Sequence, residues 1–153
     1  MTGLEPGQLW VMRIRALAVA LLLLAGAAIA EAALRGETAL PRGVILLPAL
    51  LACVYLVLLA PPRRFRAWGY SIDPEELHVR HGVWTQVQSA VPLSRIQHID
   101  ISQGPLERAF AVCRLIVHTA GTLHSQVTLP GLARGNAERM RDEIRARIRQ
   151  EPE

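Results

Sequence analysis

The chain reads as a membrane-anchored α+β protein: a two-helix transmembrane hairpin followed by a small antiparallel β-barrel capped by a C-terminal α-helix. Three features lead there. The first 66 residues hold two long apolar runs nearly free of charge; the stretch from Trp68 to Leu129 alternates in short segments broken by Gly and Pro; and from Ala133 the apolar period becomes helical. The division that follows is 1–66 for an N-terminal tail and hairpin and 67–153 for one small cytoplasmic domain.

Residues 1–11 are a short tail containing Pro6 and Gly7. Arg13 and Arg15 then precede an uncharged run from Ala16 to Ala30, and a span over about residues 12–34 is long enough, at about 1.5 Å per residue, to cross a hydrocarbon core of about 30 Å. The same basic start, apolar run and small-residue triplet Ala28-Ile29-Ala30 also fit a cleavable signal peptide. A second run follows so closely that a hairpin explains both. That second span covers about residues 43–60; its uncharged part, Val44 to Ala60, carries Pro48 in the first turns, where a missing N–H costs least. Between the spans, RGETALPRG over residues 35–43 is a tight polar turn.

Charge orients the hairpin. Arg13, Arg15, Arg63, Arg64 and Arg66 flank the outer ends, against Arg35 and Arg42 in the turn, so both termini and the C-terminal domain belong in the cytoplasm, at the inner face of the cell membrane. The net charge of +4 divides in the same way: residues 1–66 carry 7 Arg and 3 Glu, while 67–153 carry 10 Arg and 10 acids. A nucleic-acid reader would place its basic excess on the docking domain, so nucleic acid is not an expected partner. Arg63, Arg64 and Arg66 form a membrane-surface cluster, each worth about 1 kcal/mol against anionic lipid.

In the second half, Trp68, Tyr70 and Ile72 alternate on one strand, Pro74 turns the chain, and Leu77 and Val79 begin the next. His81 and Gly82 make a turn into Val83–Val91, and Arg95–Ser102 follows with a phase slip between Ile96 and Ile99 that predicts a bulge. Gln103, Gly104 and Pro105 break the chain before a short helical turn at Leu106–Phe110. Cys113–Thr119 and Leu123–Leu129 are two more strands, joined at Ala120 and Gly121. Ala133, Ala137, Met140, Ile144 and Ile148 then lie on one helical stripe, which would plug the open end of a bent sheet.

The W-x-Y-x-I pattern from Trp68, the His-Gly-Val-Trp turn at His81–Trp84, and VPLSRIQHIDISQGPLERAF at Val91–Phe110 followed by LIVHTAG resemble the bacterial PH-domain membrane proteins of the YdbS-like family. The resemblance covers both halves, and it implies a pleckstrin-homology-like barrel, no catalytic residues, and assembly with another membrane protein, a larger relative with several such domains, in envelope or stress-related function. A second copy of the chain is an alternative partner, and an anionic-lipid-sensing role is the alternative function. The family pattern more often has Gly where this chain has Ala111 after Phe110.

Arg95 and Gln97 in the motif core and Arg108 at its corner are the candidate interaction surface. The competing reading has them donating to orphan carbonyls of the bulge and corner, and their place beside a Gly-Pro break favours it. The five histidines, His78, His81, His98, His118 and His124, show no i, i+4 pair, so no metal or other cofactor is expected, although His98 and Asp100 share a strand face. Cys53 and Cys113 stand in apolar surroundings as small hydrophobes. No nucleophile with its base, phosphate loop or carboxylate pair stands out, so the chain reads as non-enzymatic.

Overall fold

The computed structural model describes residues 1–34, 41–120 and 126–150, with side chains to residue 148. Most of the 35–43 turn with Arg35, the Gly121 end of the β-turn, the first residues of the Leu123 strand and His124 lie outside the described residues. Two compact units emerge: Met12–Arg63, and Met1–Val11 together with the chain from Arg64 onward.

The first unit is the hairpin. Helix α1 runs Pro6–Leu34, its first turns counting with the other unit, and α2 runs Leu46–Ala67; both are long and apolar enough to cross a membrane. Leucines on both face outward, Leu22 at 75% and Leu51 at 72% exposure. The helices meet through small residues: Cys53 donates its thiol to the Ala20 carbonyl at 3.4 Å, and both residues are buried. Ala25, Gly26 and Ala28 are exposed.

Helix α2 corrects the expected span. It starts at Leu46 and continues through Pro61 and Pro62 to Ala67, where a span over about residues 43–60 was expected. The physical reason is a π-helical turn at Tyr55–Leu59, after which the Ala60 N–H reaches back to the Tyr55 carbonyl; widening the helix there makes room for rings that lack N–H donors. Arg63 caps this turn, donating Nη1 to the Tyr55 hydroxyl at 3.4 Å with its guanidinium 5.7 Å from the ring centre.

The second unit holds six strands: β1 Gly69–Ile72, β2 Glu76–His81, β3 Val87–Pro92, β4 Ile96–Ser102, β5 Val112–Thr119 and β6 Gln126–Ala133. They form two three-stranded antiparallel sheets, β1-β2-β3 and β4-β5-β6, where a single bent sheet was expected. A 3-10 turn at Leu93–Arg95 carries the chain from one sheet to the other. The short helix α3, Pro105–Ala109, makes the corner, and α4, Arg134–Gln150, follows β6 directly. Ala137, Met140 and Ile144 of α4 are buried with Leu77, Val79, Ile99, Leu115 and Leu129 in one core that draws on both sheets, while Ala133 belongs to β6.

The predicted bulge is present: pairing of β4 with β5 shifts between Ile96 and His98, leaving Gln97 as the extra residue. A second register shift, between Cys113 and Leu115, sets Pro130 and Gly131 opposite Arg114. The N-terminal tail, which the sequence grouped with the hairpin, packs on this unit. Thr2 bridges to the outer side of β1 through paired bonds with Tyr70 at 2.7 and 3.0 Å, and the Glu5 N–H donates to the Gly131 carbonyl at 2.8 Å. Gly131 takes φ +67°, and a Cβ there would stand 2.6 Å from that of Gln8, so the bulge accepts α1's first turn only because it is glycine.

Candidate functional site

The motif corner is held by two residues the sequence did not single out. Glu107 in α3, only 1% exposed, accepts the Gly104 N–H at 2.8 Å and lies 3.0 Å from Arg114 Nε on β5. That nitrogen finds no aligned hydrogen bond, so the contact is an ion pair held by charge rather than by direction. Gln103 Nε2 donates to the Val112 carbonyl at 2.9 Å. A carboxylate three residues after a Gly that opens a helix is the signal that would have revealed Glu107.

Arg95, Gln97 and Arg108 instead point outward; all three are exposed, and the donors that bind corner carbonyls are not theirs. Nor do they converge. Arg95 precedes the seven-residue β4 and Arg108 lies beyond its end, about 20 Å along the strand direction. Arg95 lines a groove of about 770 Å³ whose walls are β3 and β6, the last strands of their respective sheets. Val91 and Pro92 of the same motif line it, as do Thr119 and Ala120 at the end of β5. Segments that carry the family resemblance, separated by some 25 residues of sequence, thus face one concavity. Apart from Arg95 and His81 its walls are Val, Ala, Pro, Ser, Thr and Gln, a mixture suited to an extended backbone with small side chains.

A smaller cleft of about 350 Å³ lies against α4, where Arg134, Arg141 and Arg145 stand with Gln103, Asp100 and Glu138. Arg134 is tied to Glu138 at 3.1 Å. The membrane-surface cluster residues Arg63, Arg64 and Arg66 are exposed in the last turns of α2.

Two of the histidines meet across paired strands. His98 and His118 are register partners across β4 and β5, with rings stacked 4.1 Å apart, and Asp100 Oδ2 lies 3.3 Å from His118 Nε2 and 3.9 Å from His98 Nε2. One ligand atom from each falls within 4.8 Å of the others, so this cross-strand trio has the donor types a divalent cation takes. Helical spacing was the wrong template for residues on paired strands. His98 and Asp100 do share a face, as expected from their spacing.

Burial pushes the Cys113 thiol pKa up, helped by Glu107 and Glu138 and opposed by Arg134; the thiol donates to the Leu132 carbonyl at 3.4 Å. It is a packed, neutral group. Tyr70 is raised as well, by burial and then by the charge of Glu5.

The family model for the bacterial PH domain matches residues 14–148, nearly the whole length of the chain. The chain belongs to that family. Among curated relatives of this bacterial PH-domain protein, the UPF0699 transmembrane protein YdbS of Bacillus subtilis (strain 168) is 34% identical over 95 residues, covering 62% of this chain and 58% of the relative. No solved structure matches. Family, relative and the two apolar helices together make this a membrane protein with a PH-like domain.

Proposed function

We propose that this protein is a non-enzymatic, membrane-tethered PH-like module that captures an extended segment of another membrane protein in the groove between β3 and β6. The observation that carries this reading is the meeting of motif residues Pro92, Arg95, Thr119 and Ala120 at a cleft bounded by two sheet-edge strands. Edge strands offer rows of backbone donors and acceptors to an added strand, and the tail at Thr2 occupies the outer side of β1 rather than this edge. In this reading the two sheets are the halves of a PH-like barrel, both helices span, and both termini are cytoplasmic. The partner is a larger family relative with several such domains, acting in envelope or stress-related processes.

The test is gentle-detergent purification of the tagged full chain from its native membrane, with native mass determination of what accompanies it. A second membrane protein should accompany the wild type and Arg108→Ala, and be lost from Arg95→Glu and Ala90→Glu. Retention by both groove variants would move the interface elsewhere, and a chain that emerges alone would end the assembly reading.

A second reading rests on the α4 cleft: beyond Arg134, which pairs with Glu138, the cleft holds Arg141 and Arg145 against the single carboxylate of Asp100, a small positive surplus for an anionic headgroup. Lipid carried through purification by the wild type but not by Arg141→Ala with Arg145→Ala would favour it.

A further inference from the structure

The turn between β2 and β3 presents the most exposed large apolar side chain among the described residues: Trp84, at 90%. Val83 beside it is 42% exposed and Val87, opening β3, 43%. The tip is a built turn. Gly82 adopts φ +108°, and a Cβ there would collide with the Thr85 carbonyl, so this shape requires glycine and sets Val83 and Trp84 outward.

The strand register fixes which end of the sheet the tip occupies. Gly69 pairs with Arg80 and His81 with Val87, so the turn projects past the end of β1 that is joined to α2. Trp68, between α2 and β1, stacks on His81 with ring centres 4.8 Å apart. From Arg80 to Trp84 is four residues, so the tip lies within roughly 20 Å of Gly69 and of the end of the second apolar helix. Charge agrees. In a domain with equal numbers of Arg and acids, neither Arg64–Ile72 nor Leu77–Ile99 contains an Asp or Glu, while Arg64 and Arg66 precede the α2-joined end of β1 and Arg80 pairs with Gly69 at that same end.

We propose that this tip is an interfacial anchor: Val83 and Trp84 enter the lipid–water interface of the membrane that α2 spans, flanked by arginines drawn to anionic headgroups. Trp is favoured at that depth because its ring is apolar and its N–H stays wet, and the absence of carboxylates removes the repulsion an anionic surface would otherwise meet. A domain covalently tied to a span always has this interface at hand, so insertion needs no ordering of a distant partner. The anchor goes beyond the groove reading, since it requires neither a partner protein nor a headgroup pocket.

The test uses the full chain reconstituted alone in vesicles of phosphatidylcholine and phosphatidylglycerol. The chain has three tryptophans, so the Trp84 signal is taken as the difference between wild type and Trp84→Phe, a swap at a solvent-facing site that leaves Trp10 and Trp68 in place. The expected result is loss of that component with phospholipids brominated high on the acyl chain and no loss with aqueous iodide. Quenching by iodide but not by bromolipid puts Trp84 in water and overturns the anchor. Protection from both means that protein, such as a second copy of the chain, covers the tip, and equally overturns it.

Discussion

Glu31 in the hairpin and Glu107 in the PH-like unit are both buried, at 6% and 1% exposure, and both use a carboxylate to collect backbone N–H groups where the chain reverses. Glu31 lies near the end of α1 and accepts from Gly43 at 2.8 Å and from Leu46, the first residue of α2, at 3.1 Å. Glu107 accepts from Gly104 at the start of α3 and adds Arg114 at 3.0 Å. At a helix start the amides have no intrahelical partner and the dipole favours negative charge, so one carboxylate answers both needs. The difference lies in the surroundings. In the corner the carboxylate serves an amide three residues before it and an arginine on the next strand; in the hairpin it serves two amides twelve and fifteen residues further along the chain.

If the corner depends on charge pairing, Arg114→Met should have the largest effect of any change here. It leaves Glu107 buried with its Arg partner removed, and the loss should be about 3–5 kcal/mol of unfolding free energy for full-length protein in detergent. A loss below about 1 kcal/mol would mean that the carboxylate does not depend on Arg114 and that the corner is not held by charge pairing. The hairpin counterpart is Glu31→Ala. It deprives the Gly43 and Leu46 N–H groups of their acceptor, at about 1–3 kcal/mol, which should speed amide exchange over residues 43–46 by roughly ten- to a hundredfold without changing the corner. Unchanged exchange there would remove Glu31 from the clasp.

The same contrast explains what could be read from the residues. Alternation located β1, β2, β4 and β5 to within a residue or so because each buries one face, and the phase slip at Ile96–Ile99 betrayed the Gln97 bulge. Val83–Gln86 was read as strand because valine and tryptophan favour strands, whereas those residues form the exposed tip. The tail was illegible: Glu5 bonds Gly131 across more than a hundred residues, and no local period encodes that contact. The second helix runs past the expected end at residue 60 because a π turn at Tyr55–Leu59 lets it continue through Pro61 and Pro62. At the candidate site, Arg95 was recognisable but the groove was not, since it arises only when β3 and β6 end their separate sheets side by side. Glu31 and Glu107 carried signals that went unused: a carboxylate at the end of an apolar run, and one three residues after a helix-opening Gly.

The smallest effect sharpens the corner side of the comparison. Ala111 follows the Phe110 that closes α3 and sits at φ +54°, the one described non-glycine residue in the left-handed region. Here the chain departs from the Gly of the family pattern, and the backbone keeps a glycine's conformation nonetheless. The cost of holding an L-residue there is about 1–2 kcal/mol, partly offset because alanine loses less freedom than glycine on folding, so Ala111→Gly should gain about 1 kcal/mol. The side chain is exposed, so little packing is lost. The gain should appear as a higher unfolding midpoint with unchanged denaturant dependence, and it should persist on the Glu31→Ala background, because the two residues belong to different units. A loss of stability instead would show that the surrounding bonds, Ala111 N–H to the Arg108 carbonyl at 3.2 Å and Gln103 to Val112, hold the turn so firmly that only glycine's extra unfolded-state freedom is felt.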